Sequence, residues 1–307
     1  MKKRDVGPKS RIKPIVLTVI AVFFVVFFLI PISLTVFGGS KIGNVALIPI
    51  QGIITGDGQA PLGMSALSST NIIKFIKEAD ENKQIKVILL EINSPGGSAV
   101  ASDEIASAVK LTEKPVISLI REVGASGGYW IASATEHIIA NRMSITGSIG
   151  VISSYLEFSG LMEEYGVSYE RLVAGENKDL GNPYRKLETK DRQILQSKLD
   201  RIHRFFIQEV AVNRDLNLDL VEDLATGEFY LGIEAIDLGL IDQLGDKTTA
   251  ETYIQETYHL ESIDYVKYEV KPGFFSAITG VAADFFFRIG EGIGSVFTNQ
   301  PVRLMLT

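Results

Sequence analysis

Apolar residues along this chain fall into one long run and several short ones. From Ile15 to Phe37, twenty-three residues carry no charge, are rich in Val, Ile and Phe, and are interrupted by Pro31. As a helix this run extends roughly 34 Å at about 1.5 Å per residue, enough to cross a hydrocarbon core of about 30 Å. It predicts a transmembrane anchor. It exceeds the usual apolar region of a cleaved signal peptide, and Val36-Phe37-Gly38 makes a poor small-residue cleavage site. Beyond the Gly38-Gly39-Ser40 linker the apolar runs shorten to strand length: Val45–Ile50, Val87–Ile92, Val116–Ile120 and Ile138–Ala140. Between them the spacing turns helical. Ile72, Ile73, Phe75, Ile76 and Ala79 share a face of a helix expected from an Asn71 cap to about Asn82, and further helices are expected over 101–111 and 127–134. Strands alternating with helices at this spacing predict an α/β domain with parallel strands and right-handed crossovers.

The polar, Gly-rich stretch from Thr55 to Ser69 reads as a loop, Tyr169–Val173 as a strand, and Lys190 to about Asn213 as a long amphipathic helix. Shorter helices and turns through Asp246 follow, punctuated by Gly227–Gly232. Four segments result: a basic segment 1–14, the anchor 15–37, a main domain 44–272, and a Phe- and Gly-rich tail 273–307. The tail is too interrupted by glycine for a second span. It suits either a subunit-contact helix or a helix lying on a membrane surface.

Charge adds orientation. Residues 1–14 hold Lys2, Lys3, Arg4, Lys9, Arg11 and Lys13 against Asp5, a balance of +5, so the overall −7 leaves −12 for the rest. Basic residues before the span place the N-terminus in the cytoplasm and the main domain outside, a single-pass protein of the cell membrane. An acidic main domain argues against nucleic acid as a partner. The chain has no cysteine, which excludes disulfides and thiolate chemistry. Its three histidines, His137, His203 and His259, show no metal-ligand spacing, and no cofactor or metal is expected.

Candidate chemistry lies in the turns after the strands, where reactive groups gather in parallel α/β sheets. Ser126, within Gly124-Ala125-Ser126-Gly127-Gly128-Tyr129, is a hydroxyl among residues too small to bury it, and is the candidate nucleophile. A small-residue turn leading into a helix is the plainer reading of the same stretch. No histidine offers itself as base. Lys178, the lysine of the loop Ala174–Asp179, can serve if held neutral, although spacing alone does not separate it from a surface lysine. Gly96 and Gly97 in Asn93-Ser94-Pro95-Gly96-Gly97, and Gly127 directly after Ser126, offer backbone N–H groups for an oxyanion; a simple strand-to-helix turn would use the same residues.

Together with the anchor, these stretches and Thr146-Gly147-Ser148-Ile149-Gly150-Val151 resemble the signal peptide peptidase A family of membrane-bound serine peptidases, in its short form. Order and spacing match from about Val45 to Asp246. Trp130 differs, standing where a second Tyr is frequent. The resemblance implies a Clp-peptidase/crotonase-like fold of repeated ββα units, preceded by one transmembrane helix. It implies Ser126 as nucleophile, Lys178 as general base, Ser148 as the hydroxyl orienting that lysine, and Gly97 and Gly127 as oxyanion donors. It further implies remnant signal peptides as substrates, and a homo-oligomer whose sites can combine residues of neighbouring subunits. Three alternatives stay open: a non-catalytic membrane-tethered scaffold, a stomatin-associated type of membrane serine protease, and acyl-CoA chemistry on a crotonase fold.

Overall fold

The computed structural model describes residues 43–59 and 65–270, together with Thr18, Val22, Phe23 and Val25. The anchor expected over 15–37, apart from those four positions, and the tail 273–307 lie outside the described residues. Among the described residues, no helix is long and apolar enough to cross a membrane.

The chain runs β1 (Val45–Gln51), β2 (Ile53–Thr55), β3 (Ala66–Ser68), α1 (Ser69–Glu81), β4 (Val87–Ser94), α2 (Ala99–Lys110), β5 (Val116–Ala125), α3 (Gly127–Ser133), β6 (His137–Ala140) and β7 (Ile145–Gly147). It continues α4 (Ser159–Glu164), α5 (Thr189–Arg214), α6 (Leu218–Leu224), β8 (Phe229–Leu231), α7 (Gly232–Asp237), β9 (Gln243–Leu244), α8 (Lys247–Tyr258) and β10 (Tyr265–Lys267). The main sheet has the order β10-β1-β4-β5-β6-β9, and every pair in that path is parallel. β7 continues alongside the far end of β5, and β8 joins β7 as the antiparallel exception. β2 and β3 form a small parallel pair of their own.

Strands covered on both faces must be apolar at nearly every position, which is why the short runs lack strict alternation. Ile48, Ile50, Ile88, Leu90 and Ile92 face the helices α1, α2 and α3. The intervening Leu47, Val87, Leu89, Ile117 and Leu119 pack against Ala250 and Ile254 of α8. β4 and β5 run straight into the turns that start α2 and α3, and with the end of β7 they gather three glycine turns in one place.

Three local expectations change. The cap of α1 is Ser68 rather than Asn71, because Leu67 and Ser68 pair with Ile54 and Thr55 and the chain leaves that pairing directly into the helix. The same pairing puts strand β3 inside the stretch read as loop. Tyr169–Val173 forms no strand: a strand needs a neighbour, and among the described residues none pairs with it. Leu172 is 99% exposed there. α5 forms as expected and is one residue longer at each end.

Candidate active site

Ser126 occupies the junction between β5 and α3 with φ +51° and ψ −122°, a conformation that L-residues rarely adopt. Holding a non-glycine residue there costs on the order of 1–3 kcal/mol. The surroundings enforce it. The Ser126 N–H donates to Gly147 O at 2.8 Å, tying the turn to the end of β7, and its carbonyl accepts from Trp130 N at 2.9 Å in the first turn of α3. The hydroxyl is thus lifted off both flanking elements and left half-buried rather than enclosed.

The glycines around it are needed for close approach. A Cβ on Gly96, whose φ is +98°, would come 2.7 Å from Gly127 N and 2.9 Å from Ser126 Cβ. One on Gly128 would come 2.8 Å from Ser94 O. The turn after β4 is braced by the Ser94 hydroxyl, which donates to Gly52 O (2.6 Å) and accepts from Gly96 N–H (3.1 Å). It is also stitched to β2, since Ile54 N donates to Gly96 O at 2.9 Å and Ser98 N to Ile54 O at 2.8 Å. This bridge uses the groups on either side of Gly97 and leaves the Gly97 N–H on the opposite edge.

Gly97, Ser126, Gly127 and Ser148 line one cavity of about 490 Å³. Its walls are apolar: Trp130, Val151, Ile152, Leu199, Ile202 and Phe206, with Trp130 stacked on Phe206 at 4.6 Å between ring centroids. Among the described residues, no protein acceptor engages the N–H of Gly97 or of Gly127. Ser148 also has a positive φ, +48°. Its N–H donates to Glu228 O (2.9 Å) and its hydroxyl to Gly227 O (3.2 Å), which leaves the oxygen's lone pairs free to accept. The arrangement offers a half-buried hydroxyl facing a cavity, two unengaged backbone donors and an apolar trough, the parts that acyl transfer requires.

Lys178 stands apart. It lies in an exposed turn, its N–H donating to Gly175 O at 3.1 Å, and it is not among the residues lining the cavity. The histidines are occupied elsewhere: His137 stacks on Tyr253 at 3.9 Å, His203 contacts Ile149 O at 3.1 Å, and His259 ends α8 with a left-handed backbone. Sequence reasoning missed the cavity walls supplied by α5 and the acceptors at Gly227 and Glu228. Leu199, Ile202 and Phe206 carried a helical spacing, which marks a buried face but not what it borders.

Residues 108–261 match the model of peptidase family S49. The chain belongs to peptidase family S49. A putative signal peptide peptidase of Enterococcus faecium is 31% identical over 235 residues, covering 75% of this chain and 68% of that one. A putative protease of Methanocaldococcus jannaschii is 28% identical over 266 residues, covering 86% and 85%. The chloroplastic serine protease SPPA of Arabidopsis thaliana is 33% identical over 189 residues, covering 61% and 28%. The family match agrees with the resemblance carried by the serine and glycine turns, and this S49 chain is a peptidase with a mixed α/β fold around a central sheet.

Proposed function

We propose that this S49 peptidase is a membrane-anchored Ser-Lys endopeptidase of Clp-peptidase/crotonase-like fold that degrades remnant signal peptides at the membrane. One observation carries the reading: a strained serine turn opens into an apolar cavity beside two unengaged backbone N–H groups. The Lys178 amine takes the proton of Ser126 Oγ, and Oγ attacks the scissile carbonyl. Gly97 and Gly127 receive the oxyanion, and the lysine returns its proton to the leaving amine. Water then releases the acyl group by the same steps. Ser148, already donating to Gly227 O, accepts from the lysine and aims it.

The exposed turn of Lys178 is supplied to a neighbouring subunit's Ser126 in a homo-oligomer. Support comes from the apolar side chains that 152–172 leaves open, Ile152, Leu156, Tyr165 and Leu172 among them, a patch of the kind that marks interfaces. The apolar cavity walls favour apolar substrate segments, and the uncharged run 15–37 holds the enzyme where such segments reside.

The test is mass-spectrometric mapping of cuts in synthetic signal peptides by the full chain, by Ser126→Ala, by Lys178→Ala, and by the two variants mixed. Expected are cuts by the wild type, none by either variant alone, and partial recovery in the mixture. Cutting by Ser126→Ala would remove the nucleophile, and cutting by Lys178→Ala would remove the base.

A further inference from the structure

The turn that presents Lys178 is crowded with charge, yet its lysine has no acidic partner among the described residues. Glu176 pairs with Lys190 at the start of α5. Asp179, the residue directly after Lys178, is gripped from two sides. Arg171 donates to both of its oxygens, from Nε at 2.6 Å and Nη2 at 2.8 Å. Arg185 adds Nε at 3.1 Å and Nη2 at 3.4 Å, and its Nη2 also lies 2.5 Å from Asp191 Oδ2 in the first turn of α5. Two carboxylates flank the lysine, and three cations other than the lysine hold them.

This matters for a base. An ammonium paired with a carboxylate is favoured in its charged form, the form that cannot accept a proton. Asp179 is adjacent in sequence and would be the natural partner of a lysine seeking one. A bidentate guanidinium outcompetes a single ammonium for a carboxylate, because its planar fork meets both oxygens at once. We propose that Arg171 and Arg185 are positioning residues for the base: by occupying both oxygens of Asp179, they keep that carboxylate from pairing with Lys178 and leave the amine free to be delivered to a serine. This rests on Lys178 being the base.

The Asp179 carboxyl is held well below the usual carboxylate range, with the Arg171 hydrogen bonds the leading cause and those from Arg185 adding to them, in keeping with the geometry. The charged groups around the turn include Arg171, Glu176, Asp179, Arg185, Lys186, Glu188, Lys190 and Asp191. Of these, only Asp179 is both adjacent to Lys178 and clamped by two arginines.

The pH dependence of kcat/KM for a signal peptide, measured on the full chain, tests this. Arg171→Ala removes the two shortest donors to Asp179 and leaves only the longer contacts from Arg185, at 3.1 and 3.4 Å, so the carboxylate can turn to Lys178. The rising limb should move to higher pH by about one unit, lowering kcat/KM near neutrality about tenfold while the alkaline plateau stays close to wild type. Arg171→Lys, which keeps the charge but not the fork, should fall between. Adding Asp179→Asn to Arg171→Ala removes the competing carboxylate and should return the limb towards its original position. A uniform loss at every pH, or no change, with Lys178→Ala still inactive, would overturn the proposal and leave the dyad standing. Activity in Lys178→Ala would instead overturn the reading beneath it.

Discussion

The closest enforced contact in the serine turn is between Gly127 and Ser102, and it can be measured as a coupling. A Cβ on Gly127 would lie 2.2 Å from Ser102 Oγ, far inside van der Waals contact, and Ser102 is fully buried in α2. Overpacking of this kind costs about 1–3 kcal/mol, slightly offset by alanine's better helix propensity, so Gly127→Ala should destabilise by about 2 kcal/mol. Ser102→Ala removes a hydroxyl that donates to Ser98 O at 2.9 Å. That carbonyl keeps the Ser102 N–H at 3.0 Å, so this change alone should cost only about 1 kcal/mol. In the double variant the nearest side-chain atom becomes Ser102 Cβ at 3.2 Å, tight but tolerable. Its stability should therefore match Ser102→Ala alone, a coupling of about 2 kcal/mol. For a domain of this size 1 kcal/mol is about 2–4 °C, so Gly127→Ala should melt about 4–8 °C low and the double variant well above it. Differential scanning calorimetry of the four proteins reads the coupling, and peptidase assays follow the displaced Gly127 N–H, the proposed oxyanion donor, since removing one such donor costs about 10²–10³ in kcat. A coupling below about 0.5 kcal/mol would refute the claim that α2 and α3 meet through this glycine.

Three further outcomes are expected. Ser126→Gly and Ser126→Ala should both be inactive, but the glycine variant should be more stable by about 1 kcal/mol in urea titrations, since only glycine relaxes at φ +51°; equal midpoints would argue against strain. Tyr129→Phe should cost about 1–3 kcal/mol, because the buried hydroxyl donates to Leu240 O at 2.8 Å and its loss leaves that carbonyl unpaired, read as a lowered melting temperature. The Asp179 clamp lowers a carboxyl's pKa on folding, so its contribution is present above the unfolded value of about 3.9 and is lost as pH falls below it. Protection factors over 175–185, the exchange rates taken relative to the intrinsic rate at each pH, should fall below about pH 4 and be flat from pH 5 to 7; unchanged protection at pH 3 would deny the clamp.

The sequence alone determined the alternation of strands and helices, the glycine turns at the strand ends and Ser126 as the odd hydroxyl among them, because those depend on local periodicity and on residues that only one backbone geometry tolerates. It also singled out Lys178 as a suspect, without saying what surrounds it. The tertiary structure decided what no spacing encodes. Residues 97, 126, 127 and 148 share a cavity because parallel strands end together, and half of its apolar wall, Leu199, Ile202 and Phe206, comes from α5, more than fifty residues beyond Ser126 in the chain. The stretch 169–173 has strand-like composition and forms no strand, since pairing requires a neighbour that none of the described residues provides. The Arg171 and Arg185 grip on Asp179 likewise exists only after folding brings both guanidinium groups to one carboxylate. Local pattern reports what each segment can become, and only packing decides which segments meet.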